Sequence, residues 1–186
     1  MGSQLLNLQD FPFLNVRPMS DNVVKIFHLE MRDRQAFVPK QRSTDFELAL
    51  VEPADPTLNQ QLYRDVGSAW QWTDRLSWDG PKWSEYVTRN SLSTWIGYWK
   101  GKRAGYFELE SQNEGNVEIV YFGLLPEFIG MGLGGILLTA AVQYAWREPN
   151  TTRVWLHTCS NDHKHALANY LKRGFQLFKT EFENTD

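Results

Sequence analysis

Cysteine is nearly missing from this chain. Cys159 stands alone, so no intrachain disulfide can form and a reducing compartment is the simpler expectation. No block of Lys and Arg occurs and the net charge is −3, which argues against broad binding to nucleic acid or anionic membranes. The longest apolar run, around residues 132–142, is too short to span a bilayer. The first residues lack a charged stretch followed by an apolar one, so no secretory signal is expected. Leu6 stands where a myristoylation pattern needs Ser or Thr. These absences lead to the expectation of a cytoplasmic protein with neither a nucleic-acid nor a membrane partner.

What is present suits one well-buried core: 186 residues, 42% of them hydrophobic and 22% charged. Aromatics reach 14%, with eight tryptophans, four of which (Trp70, Trp72, Trp78 and Trp83) crowd into one connection. No internal repeat or low-complexity segment is visible. Residues 1–22 read as an irregular lead-in. "NVVKIFHLEM" and "DFELALVE" look like strands, and Pro56 opens a short helix ended by Gly67. A second short helix is expected near residues 81–90. Three strand-like runs follow, "STWIGYWK", "KRAGYFELE" and "NVEIVYFGLL", the first two joined by a tight turn at Lys100-Gly101. Leu133, Ile136, Leu137, Ala140, Ala141 and Tyr144 then recur at the spacing of an amphipathic helix. "TRVWLHT" is a further strand, Asp162 is placed to cap a helix ending at Gly174, and "FQLFKTEF" is a last strand. The order predicts a single mixed α/β (α+β) domain.

Gly130, Gly132 and Gly135 satisfy the G-x-G-x-x-G spacing of a dinucleotide-binding turn. In a Rossmann unit the glycines follow the strand directly, and an acidic residue ends the next strand about 20 residues on. Here "LLPEFI" intervenes, and "RVWLHTCS" ends without that acid, so the Rossmann reading fails. A strand, a Pro-containing bend and a glycine-rich helix entry remain. Such a loop aims backbone N–H groups and a helix dipole at one spot and can hold a pyrophosphate without any Lys or Arg. The bland alternative is a glycine run that lets helix and sheet pack closely.

The segment Glu118–Phe175 resembles the GCN5-related N-acetyltransferase (GNAT) family. The family's acetyl-CoA signature, Gln/Arg-x-x-Gly-x-Gly/Ala, falls on Ile129-Gly130-Met131-Gly132-Leu133-Gly134, with Ile129 in place of the leading polar residue. A second family block falls on "HKHALANYLKRGF", with Ala166, Tyr170, Gly174 and Phe175 in register and His163 at the usual Asn position. The resemblance implies a central, mostly antiparallel sheet flanked by helices over residues 45–186. Residues 1–44 would form an extension carrying an extra strand packed on that domain.

The same resemblance implies the chemistry. Acetyl-CoA would be the acyl donor, its pantetheine arm paired with Phe122, Gly123 and Leu124 and its pyrophosphate held by the loop from Ile129 to Gly135, with His163 nearby. The Leu124 amide would polarise the thioester carbonyl. Glu118 matches the strand glutamate that serves histone-type members as general base, the alternative being a strand-end carboxylate facing water. A base is needed because a lysine amine, at pKa ~10.4, is almost wholly protonated at neutral pH. Other branches carry the base where this chain has Thr158, which cannot serve; His157 or Asp162 could substitute. Tyr170 takes the register of the general acid for the CoA thiolate, or else is a packed helix tyrosine.

The acceptor, a primary amine of a small molecule or peptide, would meet Trp70, Trp72, Asp74 and Arg75, with Glu108, Tyr121 and His157 reaching in from the strands. The tryptophans could instead be a satellite core. His157, Cys159 and His163 lack a further ligand at zinc spacing, so no metal is expected. Two other functions stay open: a non-catalytic acyl-CoA-binding or sensing domain, and an aromatic-lined ligand-binding module. A homodimer is possible.

Overall fold

The computed structural model describes residues 23–41 and 43–184; the irregular lead-in expected over residues 1–22 lies outside them. Among these residues seven strands form one sheet: β1 (Val23–Met31), β2 (Phe46–Leu50), β3 (Leu92–Trp99), β4 (Lys102–Ser111), β5 (Asn116–Leu124), β6 (Arg153–Cys159) and β7 (Gln176–Asn184). Their spatial order is β2-β3-β4-β5-β6-β1-β7, and every pair is antiparallel except β5 with β6. The expected mixed α/β fold with its mostly antiparallel sheet is therefore what the chain adopts. The strand from the early segment does not sit at an edge. It lies between β6 and β7, with His28 opposite His157 on one side and Lys179 on the other.

Among the described residues four helices cover the sheet: α1 (Pro56–Gly67), α2 (Gly80–Val87), α3 (Gly134–Ala145) and α4 (Ala166–Lys172). Asp55 and Asp79 cap α1 and α2 by accepting from the Leu58 and Lys82 amides, and each helix has a Pro near its start, where a missing N–H costs nothing. Because side chains alternate along β4, Tyr106 packs with Leu62 and Val66 of α1, while Phe107 and Leu109 join the larger core beneath α3. Tyr170 of α4 belongs to that larger core.

Two local expectations are corrected. The α3 pattern looked amphipathic, yet residues 135–142 are buried without interruption. The segment between β1 and β2 covers the side that would have met water: Phe37 packs on the core and the Lys40 amide donates to Thr139 Oγ1 at 2.8 Å. Asp162 does not cap α4, whose N-terminal residue His165 makes no side-chain cap. Its carboxylate accepts instead from Thr158 Oγ1 (2.6 Å) and the Cys159 amide (2.9 Å), closing the turn after β6.

Candidate active site

β5 and β6 pair at only three positions, Asn116 with Arg153, Val117 with Val154 and Glu118 with Trp155. Beyond Glu118 the two parallel strands separate. On the other side of β5, the register with β4 slips between Glu108 and Leu109, so that Val120 is left as an extra residue, a bulge that bends the strand. The gap between the diverging strands opens into a cavity of about 1350 Å³. Its walls are the outer half of β5, the end of β6, the α1–α2 connection, the glycine loop and α4.

At one end of the cavity lies the glycine loop. After β5, Pro126–Phe128 make a short 3-10 turn, and Gly130 (φ +85°) and Gly132 (φ +76°) adopt left-handed conformations that side chains resist. These turns feed α3, whose first turn has no side-chain cap. Helix starts leave backbone N–H groups without intrahelical partners, and here no side chain takes their place. The donor set is therefore amide hydrogens plus the positive end of a helix dipole, which suits a phosphate. Ile129, Gly130, Gly132, Gly134 and Gly135 line the cavity; Met131 points outward at 53% exposure and Leu133 is buried in the core.

At the opposite end is Glu118. It is not a solvated strand end: the residue is buried, Oε2 accepts from Gln112 Nε2 at 2.8 Å, and Oε1 lies 3.6 Å from His157 Nδ1. Gln112 is itself oriented by the Trp155 indole, which donates to Oε1 at 3.0 Å. The carboxylate beside it raises the His157 pKa, outweighing the opposing effect of burial, with smaller help from Asp162 and Asp74. The imidazole remains half exposed on the cavity side.

Tyr170 lies between these ends, its ring edge-on to Phe122 (6.0 Å) and Phe175 (6.3 Å). Burial, and then Asp162, push its phenol pKa well up, so it keeps its proton at neutral pH. Phe122, Gly123, Leu124 and His163 also line the cavity, as do Trp70, Trp72, Asp74, Arg75 and Tyr121. The α1–α2 connection bridges the mouth: Trp70 meets His163 edge-on at 5.3 Å, and Asn161 Nδ2 donates to Gln71 Oε1 at 3.2 Å.

The tryptophan-rich connection divides. Trp78 and Trp83 join Tyr63 and Tyr86 in a satellite core, with Trp83 1% exposed. The Arg75 guanidinium fills the aromatic box there, 3.8 Å from the Tyr86 ring, 4.5 Å from Trp78 and 4.6 Å from Tyr121. Glu108, expected to reach the acceptor, is not brought to the cavity; it is fully buried and bonded to Asn59 Nδ2 (2.7 Å) and the Tyr86 hydroxyl. Among the described residues no group of three or more His, Cys, Asp or Glu could hold a metal ion. No helix among them is long and apolar enough to cross a membrane.

Lys40 and Gln112 were not foreseen. Gln112 lies in the β4–β5 turn and is a polar residue without pattern. Lys40 follows Pro39 in a stretch with no periodicity, and only the tertiary fold carries it to the glycine loop.

Comparison with solved structures places the architecture. A GCN5-related N-acetyltransferase from Kribbella flavida superposes with a TM-score of 0.61 at 16% identity, over 84% of this chain and 55% of that one. A GCN5-related N-acetyltransferase from Sphaerobacter thermophilus gives 0.66 at 12% identity, over 88% and 52%. An aminoglycoside acetyltransferase from an uncultured soil metagenomic sample, solved with trehalose, gives 0.57 at 16%, over 69% and 87%. The chain thus spans about half the length of the first two. No curated protein matches the sequence. The model of the acetyltransferase (GNAT) family matches residues 57–175, more than half of the chain and the whole run from α1 to the end of α4. With the divergent strands and the glycine loop inside that match, this chain belongs to the GNAT acetyltransferase family.

Proposed function

We propose that this protein is an acetyl-CoA-dependent N-acetyltransferase that passes the acetyl group directly to a primary amine. The observation that carries the reading is the order of groups along one cavity: uncapped amides at one end, Glu118 with His157 at the other, and Tyr170 between. The acetyltransferase unit is read as residues 45–186, with β1 from the preceding segment completing its sheet.

Acetyl-CoA supplies an activated acyl group and a thiolate leaving group. The loop from Ile129 to Gly135 offers its amides to the pyrophosphate, and the unpaired side of Phe122, Gly123 and Leu124 offers backbone groups to the pantetheine arm. The Leu124 amide faces the role of polarising the carbonyl. Glu118, with His157 beside it, takes the proton from the incoming ammonium, so that the neutral amine nitrogen can attack the carbonyl carbon. As the carbon–sulfur bond breaks, Tyr170 gives its proton to the departing thiolate, and the excess proton on the new amide nitrogen restores the phenol, directly or through water. Asp74 and the exposed faces of Trp70 and Trp72 favour a cationic acceptor.

The test is a melting curve with acetyl-CoA, with NADH as control, followed by thiol release with a panel of amines that includes an aminoglycoside. Ligand at about 100 times Kd should stabilise the fold by roughly 2.7 kcal/mol. A shift without thiol release from any amine would favour an acyl-CoA-sensing domain. No shift with acetyl-CoA up to millimolar concentration would end the reading.

A further inference from the structure

The family signature has Ile129 where a polar side chain usually stands, yet the glycine loop is not without a cation. The segment between β1 and β2 runs across the end of α4 and onto α3. The Val38 amide donates to the Arg173 carbonyl at 3.1 Å, and the Ala36 carbonyl passes so close to Gly174 that a Cβ there would lie 2.0 Å away. The segment then anchors on α3, where Thr139 Oγ1 accepts from the Lys40 amide and donates to the Gly135 carbonyl, both at 2.8 Å. That anchor fixes where the Lys40 side chain can go. Its stem lies over Gly135, with Cδ 2.8 Å from where a Cβ would stand, and Nζ donates to the Gly132 carbonyl at 2.6 Å.

We propose that Lys40 is the cationic ligand of the cofactor's pyrophosphate, supplied from outside the signature by the segment between β1 and β2. This rests on the acetyl-CoA reading above. An ammonium has three N–H donors, and the contact with Gly132 uses one, leaving others for an anion held against the same loop. Among the described residues Lys40 forms no ion pair with a carboxylate, so its charge is not neutralised in place. The bare stem over Gly135 also explains why that position carries no side chain: a Cβ would displace the lysine. Lys172 and Arg173 line the same cavity, but Lys40 is the one that touches the glycine loop.

The experiment measures CoA affinity by calorimetry at low and high salt for the wild type, Lys40→Met and Lys40→Arg, with the melting temperature of each protein without ligand. Lys40→Met is expected to weaken CoA binding about tenfold. Its affinity should fall less steeply with salt than that of the wild type, with the ligand-free melting temperature unchanged, and Lys40→Arg should recover most of the loss. Unchanged affinity in Lys40→Met overturns the assignment. So does a loss of affinity whose salt dependence matches the wild type, which would mean that the lysine only holds the segment in place. A wild type that does not bind CoA removes the acetyltransferase reading as well, so the two failures are distinguishable.

Discussion

Glu108 on β4 and Glu118 on β5 are both buried strand carboxylates with polar neighbours, yet they differ in access from the cavity. Around Glu108 the partners are Asn59 and Tyr86, with Arg75 packed against the rings of Tyr86, Trp78 and Tyr121. Burial raises its pKa in spite of those donors and the nearby Arg75 and Arg89. Around Glu118 the partners are Gln112 and a half-exposed His157, and the carboxylate lines the cavity. Both acids are buried, but only Glu118 lines the cavity. Glu108 has the features of a tuned acid without a route for substrate, which makes it a folding device.

The comparison breaks most sharply in kinetics. Glu118→Gln keeps the size and one oxygen for Gln112, so folding should be nearly unaffected while acetyl transfer falls by about 10²–10⁴-fold. The deficit should deepen at low pH, where the acceptor amine most needs a base. A pH–rate profile parallel to that of the wild type would remove Glu118 from proton transfer. Tyr170→Phe is next: transfer should slow by about 10²-fold while CoA affinity is retained. An unchanged rate would return Tyr170 to the core with Phe122 and Phe175.

Glu108→Ala should show the reverse pattern. Without the carboxylate, the Tyr86 hydroxyl and one bond of Asn59 are left unmet in a buried box, a loss of about 2–3 kcal/mol in urea unfolding. Transfer per folded molecule should stay near wild type. A Glu108→Ala protein that is stable but inactive would make the two glutamates exchange roles. The buried carboxyl of Glu108 also gives the stability a pH dependence. A buried carboxyl with a raised pKa binds its proton more tightly folded than unfolded. Its contribution is then greatest below the unfolded pKa and declines as pH rises toward the folded value. Glu108→Gln should flatten that part of the stability–pH curve.

The sequence was explicit where chemistry repeats a pattern and silent where the fold brings distant residues together. The strand-like runs, the helix opened by Pro56 and ended by Gly67, and the glycine spacing made the element order and the glycine loop legible. Glu118 and Tyr170 stood out because they sit in register with motifs. Glu108 was expected to reach the acceptor, since nothing in "YFELE" says which face of β4 will be covered by α1 and α2. The α3 stripe read as amphipathic because its cover, the segment through Phe37 and Lys40, lies far away in the chain and has no period. Asp162 had the spacing of a helix cap, but the turn after β6 offered Thr158 and the Cys159 amide closer at hand.

The smallest expected effect sharpens the open half of the comparison. His157 is held above its ordinary pKa chiefly by the Glu118 carboxylate 3.6 Å away, so it should stay protonated to a higher pH than a free imidazole, as read from its ring resonances in a proton NMR titration. In Glu118→Gln the neutral amide removes that support, leaving burial to oppose the charge, and the titration should move down. The linkage has a definite sign. A histidine whose folded pKa is raised stabilises the fold fully below its unfolded value near 6.5 and loses that contribution as pH rises through the folded value. With the imidazole half in solvent the gain is small, so the measurable difference between wild type and Glu118→Gln should be confined to the acid side of that range. If His157 titrates identically in both proteins, the 3.6 Å approach is a contact without coupling, and the base is Glu118 alone.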